Sequence, residues 1–338
     1  MKRRAFLHSV AAGAAGALIP TIGRAGQAGG PPAGRPSYAE RVIVSGLVFP
    51  EGPSFDKAGN FYVGDLDTGK VHRVTPDGTA SVLLETGGGI NSTKLGPDGA
   101  LWVLNGGGRT VPVYEMVPPA LGGIGPKAAQ SKGRPTIHRV DLTTGASDVA
   151  LTGGPGAFPG TNDIAFDADG NAYFTSGDSG EIWFFTPSRT LSRLAGGYAY
   201  ANGLMVSADG RALYVSETNS GVVWKHAITR PGTLAPRVGF GLMPPTTAPW
   251  RVVERDAPDS MTLDEEGNVL VCGWQGGQIA VFDPRGQLID RIRTSDQWTT
   301  NAAFGGPDNR TLYVTQSKLG RVVAIPWHNR GMTLFPLR

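Results

Sequence analysis

Six turns carrying Gly or Asn recur along this chain, at Gly59, Gly99, Gly170, Gly210, Gly267 and Asn309, each flanked by short runs of alternating apolar residues. Gly and Asn accept the positive φ that tight hairpins require, so each unit reads as a β-hairpin. The unit is clear at Glu51-Gly52-Pro53-Ser54-Phe55-Asp56 followed by Phe61-Tyr62-Val63, and at Asn202-Gly203-Leu204-Met205-Val206 followed by Leu213-Tyr214-Val215. Six such hairpins at a period of roughly 40 residues predict an all-β chain folded as a six-bladed β-propeller. The interval stretches twice, across about 105–136 and about 230–257, and both stretches are expected to be loop insertions.

Eight residues before each turn stands an oxygen-bearing side chain: Glu51, Asn91, Asn162, Asn202, Asp259 and Asn301. The inner strands of a propeller line its central channel, so these six donors are expected to ring one mouth of it. Carboxylates and amide oxygens without Cys or His form a hard-ligand set suited to Ca²⁺, with Mg²⁺, Mn²⁺ or Zn²⁺ as alternative ions. Glu51 and Asp259 would balance a divalent charge, and without a cation or a proton they would repel each other and lose hydration. For Asn91 and Asn301, capping of the inner strands beside the turns stands next to contact with a ligand. Strand alternation points Asp163, the neighbour of Asn162, away from the channel, which leaves it a supporting role.

The remaining composition narrows the chemistry. Four of the 31 Lys and Arg residues precede residue 29, so the rest of the chain carries 27 against 28 Asp and Glu and is near −1. The basic pI belongs to the N-terminal segment, and nothing supports binding to nucleic acid or an anionic membrane. That segment, residues 1–28, pairs Arg3-Arg4 with Phe6-Leu7 and a small, apolar stretch. It reads as a twin-arginine signal, too short to span a bilayer and followed by a leader over 29–40, with a single propeller domain over 41–338. Export to the periplasm or the medium is expected. The one cysteine, Cys272, lies in the apolar run Val269-Leu270-Val271-Cys272 and reads as a buried thiol. The histidines show no paired spacing, which argues against a His-based zinc centre or a Ser-His-Asp triad.

Just ahead of the donors stand Phe49, Phe158, Tyr198, Tyr200 and Trp298, with Trp250 in the longer loop before Asp259. They are expected to rim the pocket, with Phe158, Tyr200 and Trp298 touching substrate and favouring alkyl or aryl ligands. The Gly- and Pro-rich stretch from Gly106 to Thr136 is expected to fold over the same mouth.

Glu51-Gly52-Pro53, Asn162-Asp163, Asn202-Gly203-Leu204 and Pro258-Asp259-Ser260-Met261 resemble, in order and spacing, the motifs of the senescence-marker-protein, regucalcin and gluconolactonase family. Phe304-Gly305-Gly306 with Leu312-Tyr313-Val314-Thr315 resembles its final blade, and the likeness covers roughly residues 40–325. The resemblance implies a six-bladed propeller with one divalent cation, usually calcium, and hydrolysis of lactones. It matches Glu51, Asn202 and Asp259 to the direct metal ligands, and Asn162 to an Asn that reaches the metal or the substrate. Some sugar-lactone hydrolases of the family carry an Arg two residues before this Asn, where the present chain has Gly160. On this reading Asp259 is also the general base, and Asn162 and Asn202 position the carbonyl. A calcium-dependent ligand-binding propeller without turnover, and a phosphotriesterase-type hydrolase, are the alternatives.

Overall fold

The computed structural model describes residues 38–107, 133–246 and 254–333. The signal segment, most of the leader, most of the first insertion and Trp250 lie outside the described residues. Among those residues every regular element is a β-strand, and the strands form six antiparallel sheets.

The chain enters through β1 (Arg41–Ser45). The first blade is β2 (Pro50–Phe55), β3 (Phe61–Asp65), β4 (Lys70–Val74) and β5 (Ala80–Glu85), and the second is β6 (Ile90–Leu95), β7 (Leu101–Asn105), β8 (Thr136–Val140) and β9 (Ser147–Thr152). The third is β10 (Ile164–Phe166), β11 (Ala172–Ser176), β12 (Glu181–Phe185) and β13 (Leu191–Ala195). The fourth is β14 (Ala201–Val206), β15 (Ala212–Glu217) and β16 (Val222–Arg230), which pairs with both β17 (Thr233–Leu234) and β18 (Val238–Leu242). The fifth is β19 (Pro258–Leu263), β20 (Val269–Gly273), β21 (Gln278–Phe282) and β22 (Leu288–Arg293). The sixth combines β23 (Thr299–Gly305), β24 (Thr311–Gln316) and β25 (Arg321–Pro326) with β1, whose Arg41 pairs with Ala324. The first strand thus completes the last sheet and leaves the ring without an open seam.

The turns behave as their composition predicts. Gly59, Gly99, Gly170, Gly210 and Gly267 all have positive φ, and Asn309 takes the same region at 55°. In the first turn Asp56 Oδ1 accepts from Asn60 N at 2.9 Å, and Asp167 and Asp264 repeat the bond with Asn171 and Asn268. The second stretch of unusual spacing is only partly loop, because it contributes the outer strands β17 and β18 to the fourth blade.

Between blades the sheets press apolar faces together. Trp102, Phe166, Phe174, Trp183 and Phe185 fill the space between blades two and three. Phe158 lies among them, fully buried, with its ring edge-on to Phe174 at 5.1 Å between centroids. Burying such a ring contributes about 1.5–3 kcal/mol, and truncating it adds the penalty of a cavity. Phe158→Ala should therefore lower stability by about 3–5 kcal/mol, read from the shift of the denaturant midpoint. A variant as stable as the parent would remove Phe158 from the core.

Candidate active site

The inner strands β6, β14, β19 and β23 break register at the same place, so that two consecutive residues of the inner strand oppose one of its partner, and β2 does so one pair later, between Glu51 and Ser54. The third blade does the same just before β10: Asn162 N donates to Thr175 O at 2.8 Å, while Thr175 N donates to Asp163 O at 3.0 Å. A bulge of this kind breaks the alternation of faces, so neighbouring side chains can both turn toward the axis. The carbonyls freed by the bulges are tied by hydroxyls. Thr93 Oγ1 donates to Gly52 O at 2.6 Å, Ser216 Oγ to Asp259 O at 2.6 Å, Thr218 Oγ1 to Pro258 O at 2.8 Å and Ser317 Oγ to Pro50 O at 2.9 Å. Thr175 Oγ1 donates to Asn202 O in the same way.

Pairing with the second strands identifies the equivalent residues. Pro50, Ile90, Ala201, Pro258 and Thr299 pair with Asp65, Asn105, Glu217, Gly273 and Gln316, so the next residues, Glu51, Asn91, Asn202, Asp259 and Thr300, form one level. Asn162 joins them through Thr175. Gly52, Ser92, Asp163, Gly203, Ser260 and Asn301 form the level beneath. Asn301 is therefore one step out of phase with the other five donors, and Thr300 holds the expected place. The cause is an inner strand one pair longer in the sixth blade, where Gly305↔Thr311 extends the ladder beyond Phe304↔Leu312. Asn301 N donates to Thr315 Oγ1 at 2.8 Å just as Asp163 N donates to Thr175 Oγ1 at 3.1 Å.

Asp163 does not point away from the channel. Its Oδ1 accepts from Ser92 Oγ at 2.7 Å, and its Oδ2 accepts from Ser260 Oγ, so one carboxylate bridges blades two, three and five beneath the donors. The glycines on this level make room: a Cβ on Gly203 would stand 2.4 Å from Ser260 Cα, and one on Gly52 2.4 Å from Thr93 N. Ser92, Ser260, Thr218 and Thr300 are the site residues that the spacing of donors does not reveal. The recurrence of Ser and Thr at the ends of the second strands, as in Thr175-Ser176 and Ser216-Glu217-Thr218, is the signal that could have found the hydroxyl ties.

Burial holds the Glu51 carboxyl well above the usual carboxylate range, and the neighbouring Asp259 carboxylate adds to the rise. Thr300 and Asn301, beside it, pull the other way. Burial likewise raises Asp259 well above its ordinary value, with Asp163 as the charge that reinforces it and the Asn202 amide as the main opposing group. Asn202 is only 5% exposed, and its Nδ2 donates to Thr218 Oγ1 at 3.0 Å. That bond leaves Asn202 Oδ1 buried with no donor. The buried Glu51 carboxyl, the half-buried Asp259 carboxyl and a buried amide oxygen lacking a donor make a site deficient in positive charge, and a divalent cation fits that donor set. Among the described residues no three His, Cys, Asp or Glu side chains stand at metal-binding spacing, so the set is mixed carboxylate and amide. Asn162 is half-buried, and its carboxamide makes no hydrogen bond among the described residues. Asn91 is half-buried too, and Gly106 leaves space for its Oδ1, which a Cβ there would meet at 2.7 Å.

The aromatic rim is not where the sequence places it. Phe158, Phe49, Tyr198 and Trp298 are all buried; Phe158 lies between blades, and Trp298 packs on Phe49 at 5.9 Å between centroids. Large rings ahead of the inner strands are drawn into the apolar seams, where they bury the most surface. Tyr200 remains half-buried beside Asn202 at a positive φ of 72°, a conformation uncommon for a non-glycine residue. Cys272 is fully buried, and burial pushes its thiol up, in keeping with a structural thiol.

The gluconolactonase of Zymomonas mobilis is 25% identical over 317 residues, covering 82% of this chain and 78% of its own length. The pentonolactonase XacC of Haloferax volcanii is 26% identical over 279 residues, covering 81% of this chain and 84% of its own. The crystal structure of regucalcin from Agrobacterium tumefaciens, described as a calcium-binding protein, superposes with a TM-score of 0.66 at 17% identity, covering 88% of this chain and 96% of its own, which establishes the likeness of fold. Residues 49–318 match the family model described as the SMP-30/gluconolactonase/LRE-like region, from just ahead of Glu51 to beyond the last hydroxyl tie at Ser317. The chain is a member of the SMP-30/gluconolactonase/LRE-like family.

Proposed function

We propose that the protein is a divalent-metal-dependent hydrolase that opens lactones, with its centre at Glu51, Asn162, Asn202 and Asp259. The observation that carries this reading is the Asn202 Oδ1 atom, buried without a donor beside two carboxyls raised by burial and by neighbouring carboxylates, Asp259 for Glu51 and Asp163 for both. Related lactonases support the reaction class. Held by Glu51, Asn202 and Asp259 with Asn162 in reach, a calcium ion would polarise the lactone carbonyl as a Lewis acid.

The chain's own groups supply the rest. Thr218 fixes the Asn202 amide so that its oxygen faces inward. The Asn162 carboxamide, without an internal partner, donates to the carbonyl oxygen as charge builds there. Asp259 accepts the proton of the attacking water, and its carbonyl, held by Ser216, keeps the backbone of the base in place.

Hydrolysis of a panel of alkyl, aryl and sugar lactones should fall to background when a chelator strips the protein, and return on adding calcium. Binding of lactones without turnover, under any metal, would favour a ligand-binding propeller instead. Faster cleavage of an aryl phosphotriester than of every lactone would favour the phosphotriesterase reading. With Phe158 and Trp298 in the core, the structure lends no support to an aromatic pocket, so the panel rather than the rim decides between alkyl and sugar substrates.

We propose in addition that residues 1–28 direct export through the twin-arginine route, on the strength of Arg3-Arg4 and the short apolar stretch after them. Replacing both with Lys should strand active, folded protein in the cytoplasm on fractionation, whereas continued export would point to the general secretory route.

A further inference from the structure

The inner strands end, away from the donors, around a cavity of about 720 Å³ that opens at the opposite mouth of the channel. Its walls include Phe55, Leu95, Met205, Leu263 and Phe304. Pairing with the second strands places Ser54, Lys94, Ala165, Met205, Thr262 and Ala303 at equivalent positions near this mouth, and Lys94 is the one charged residue among the six. Lys94 lines the cavity at 8% exposure, and its ammonium makes no hydrogen bond or ion pair among the described residues.

The residue's low exposure belongs to its aliphatic stem, packed in the wall, while the ammonium, absent from the buried atoms that lack a partner, faces the cavity. The other polar groups of the wall do not pair with it. Ser54 Oγ accepts from Leu95 N at 2.8 Å, and the Asp56 carboxylate is taken up by Asn60 Nδ2 at 2.8 Å and the Tyr62 hydroxyl at 2.7 Å. Lys57, exposed at the rim, adds a second positive charge. A space of this size with largely apolar walls, in which the Asp56 carboxylate is already taken up by Asn60 and Tyr62 and Lys94 faces inward, has the character of a small-molecule site.

We infer that this second mouth binds an organic monoanion, a carboxylate carried on an apolar or aromatic body, with Lys94 pairing the carboxylate and the five apolar side chains enclosing the body. The site is separate from the hydrolytic centre and does not depend on that reading.

Calorimetric titration of the calcium-loaded full-length protein with 4-phenylbutyrate and with the neutral 4-phenylbutanol tests it. The acid should bind at least about tenfold tighter than the alcohol, as expected for a charge-assisted pair in a partly desolvated site. Lys94→Met, which keeps the apolar stem, should erase that preference while leaving lactone turnover unchanged. Should Lys94→Met fold poorly, Thr262→Asp provides the same readout by placing a repelling carboxylate in the same ring. Equal affinities for acid and alcohol, no detectable heat from the acid at millimolar concentration, or a preference that survives both substitutions would overturn the inference. Competition between 4-phenylbutyrate and lactone would overturn it too, by placing the acid at the donor mouth.

Discussion

Asp259→Asn, assayed with calcium at saturation, should lose about 10²–10⁴ in kcat/KM, the range that follows removal of a positioned general base. The carboxamide keeps the size and one oxygen of the carboxylate, so saturation separates the two roles assigned to this residue. Metal analysis before calcium is added back should show reduced occupancy, because one of two charged donors has gone, and Glu51→Gln should show the same. Full occupancy in both variants would dismiss the ligand assignment. A wild-type rate for Asp259→Asn at saturating calcium would leave Asp259 as a ligand only and shift the base to another group. Asn301→Ala should cost far less, because Asn301 lies one level deeper and meets the centre only through its effect on Glu51.

The second large effect is expected at Asp163. Its carboxylate accepts from Ser92 and Ser260 across the channel and contributes to the raised pKa of both Glu51 and Asp259. Asp163→Asn retains the shape and can retain both serine contacts, since a hydroxyl donates or accepts. What it removes is negative charge directly beneath the donors. Calcium affinity should fall by roughly 10–100-fold, as for other groups that orient and bias metal ligands from behind, with the melting temperature little changed. If affinity holds while stability drops, Asp163 is a structural crosslink between blades and nothing more.

The residues that carry these two predictions stood differently in the sequence. Glu51, Asn202 and Asp259 were legible because the hairpin repeat preserves phase in their blades, and phase alone places a residue at the channel. Asn301 was misplaced by the same argument, because counting back from a turn is blind to one extra pair in the ladder. Asp163 was misread because alternation assumes an unbroken strand, whereas a bulge recurs near this point in every blade. Phe158 and Trp298 were assigned to the rim by their position ahead of the donors, although burial in the seams between sheets was the larger driving force.

The sequence by itself determined the architecture: turn chemistry, alternation and a steady period are local properties, and six repeats of them leave a closed ring of sheets as the consistent outcome. It also placed Glu51, Asn91, Asn202 and Asp259 on one level of the inner strands. Only the tertiary structure decided which atoms meet. The closure by β1, the bridge from Asp163 to Ser92 and Ser260, the Thr218 contact that leaves Asn202 Oδ1 without a donor, and the burial of Lys94 at the far mouth join residues whose spacing encodes no contact. Their distances are set by bulge geometry and by how adjacent blades pack, which are properties of the assembled ring and not of any one repeat.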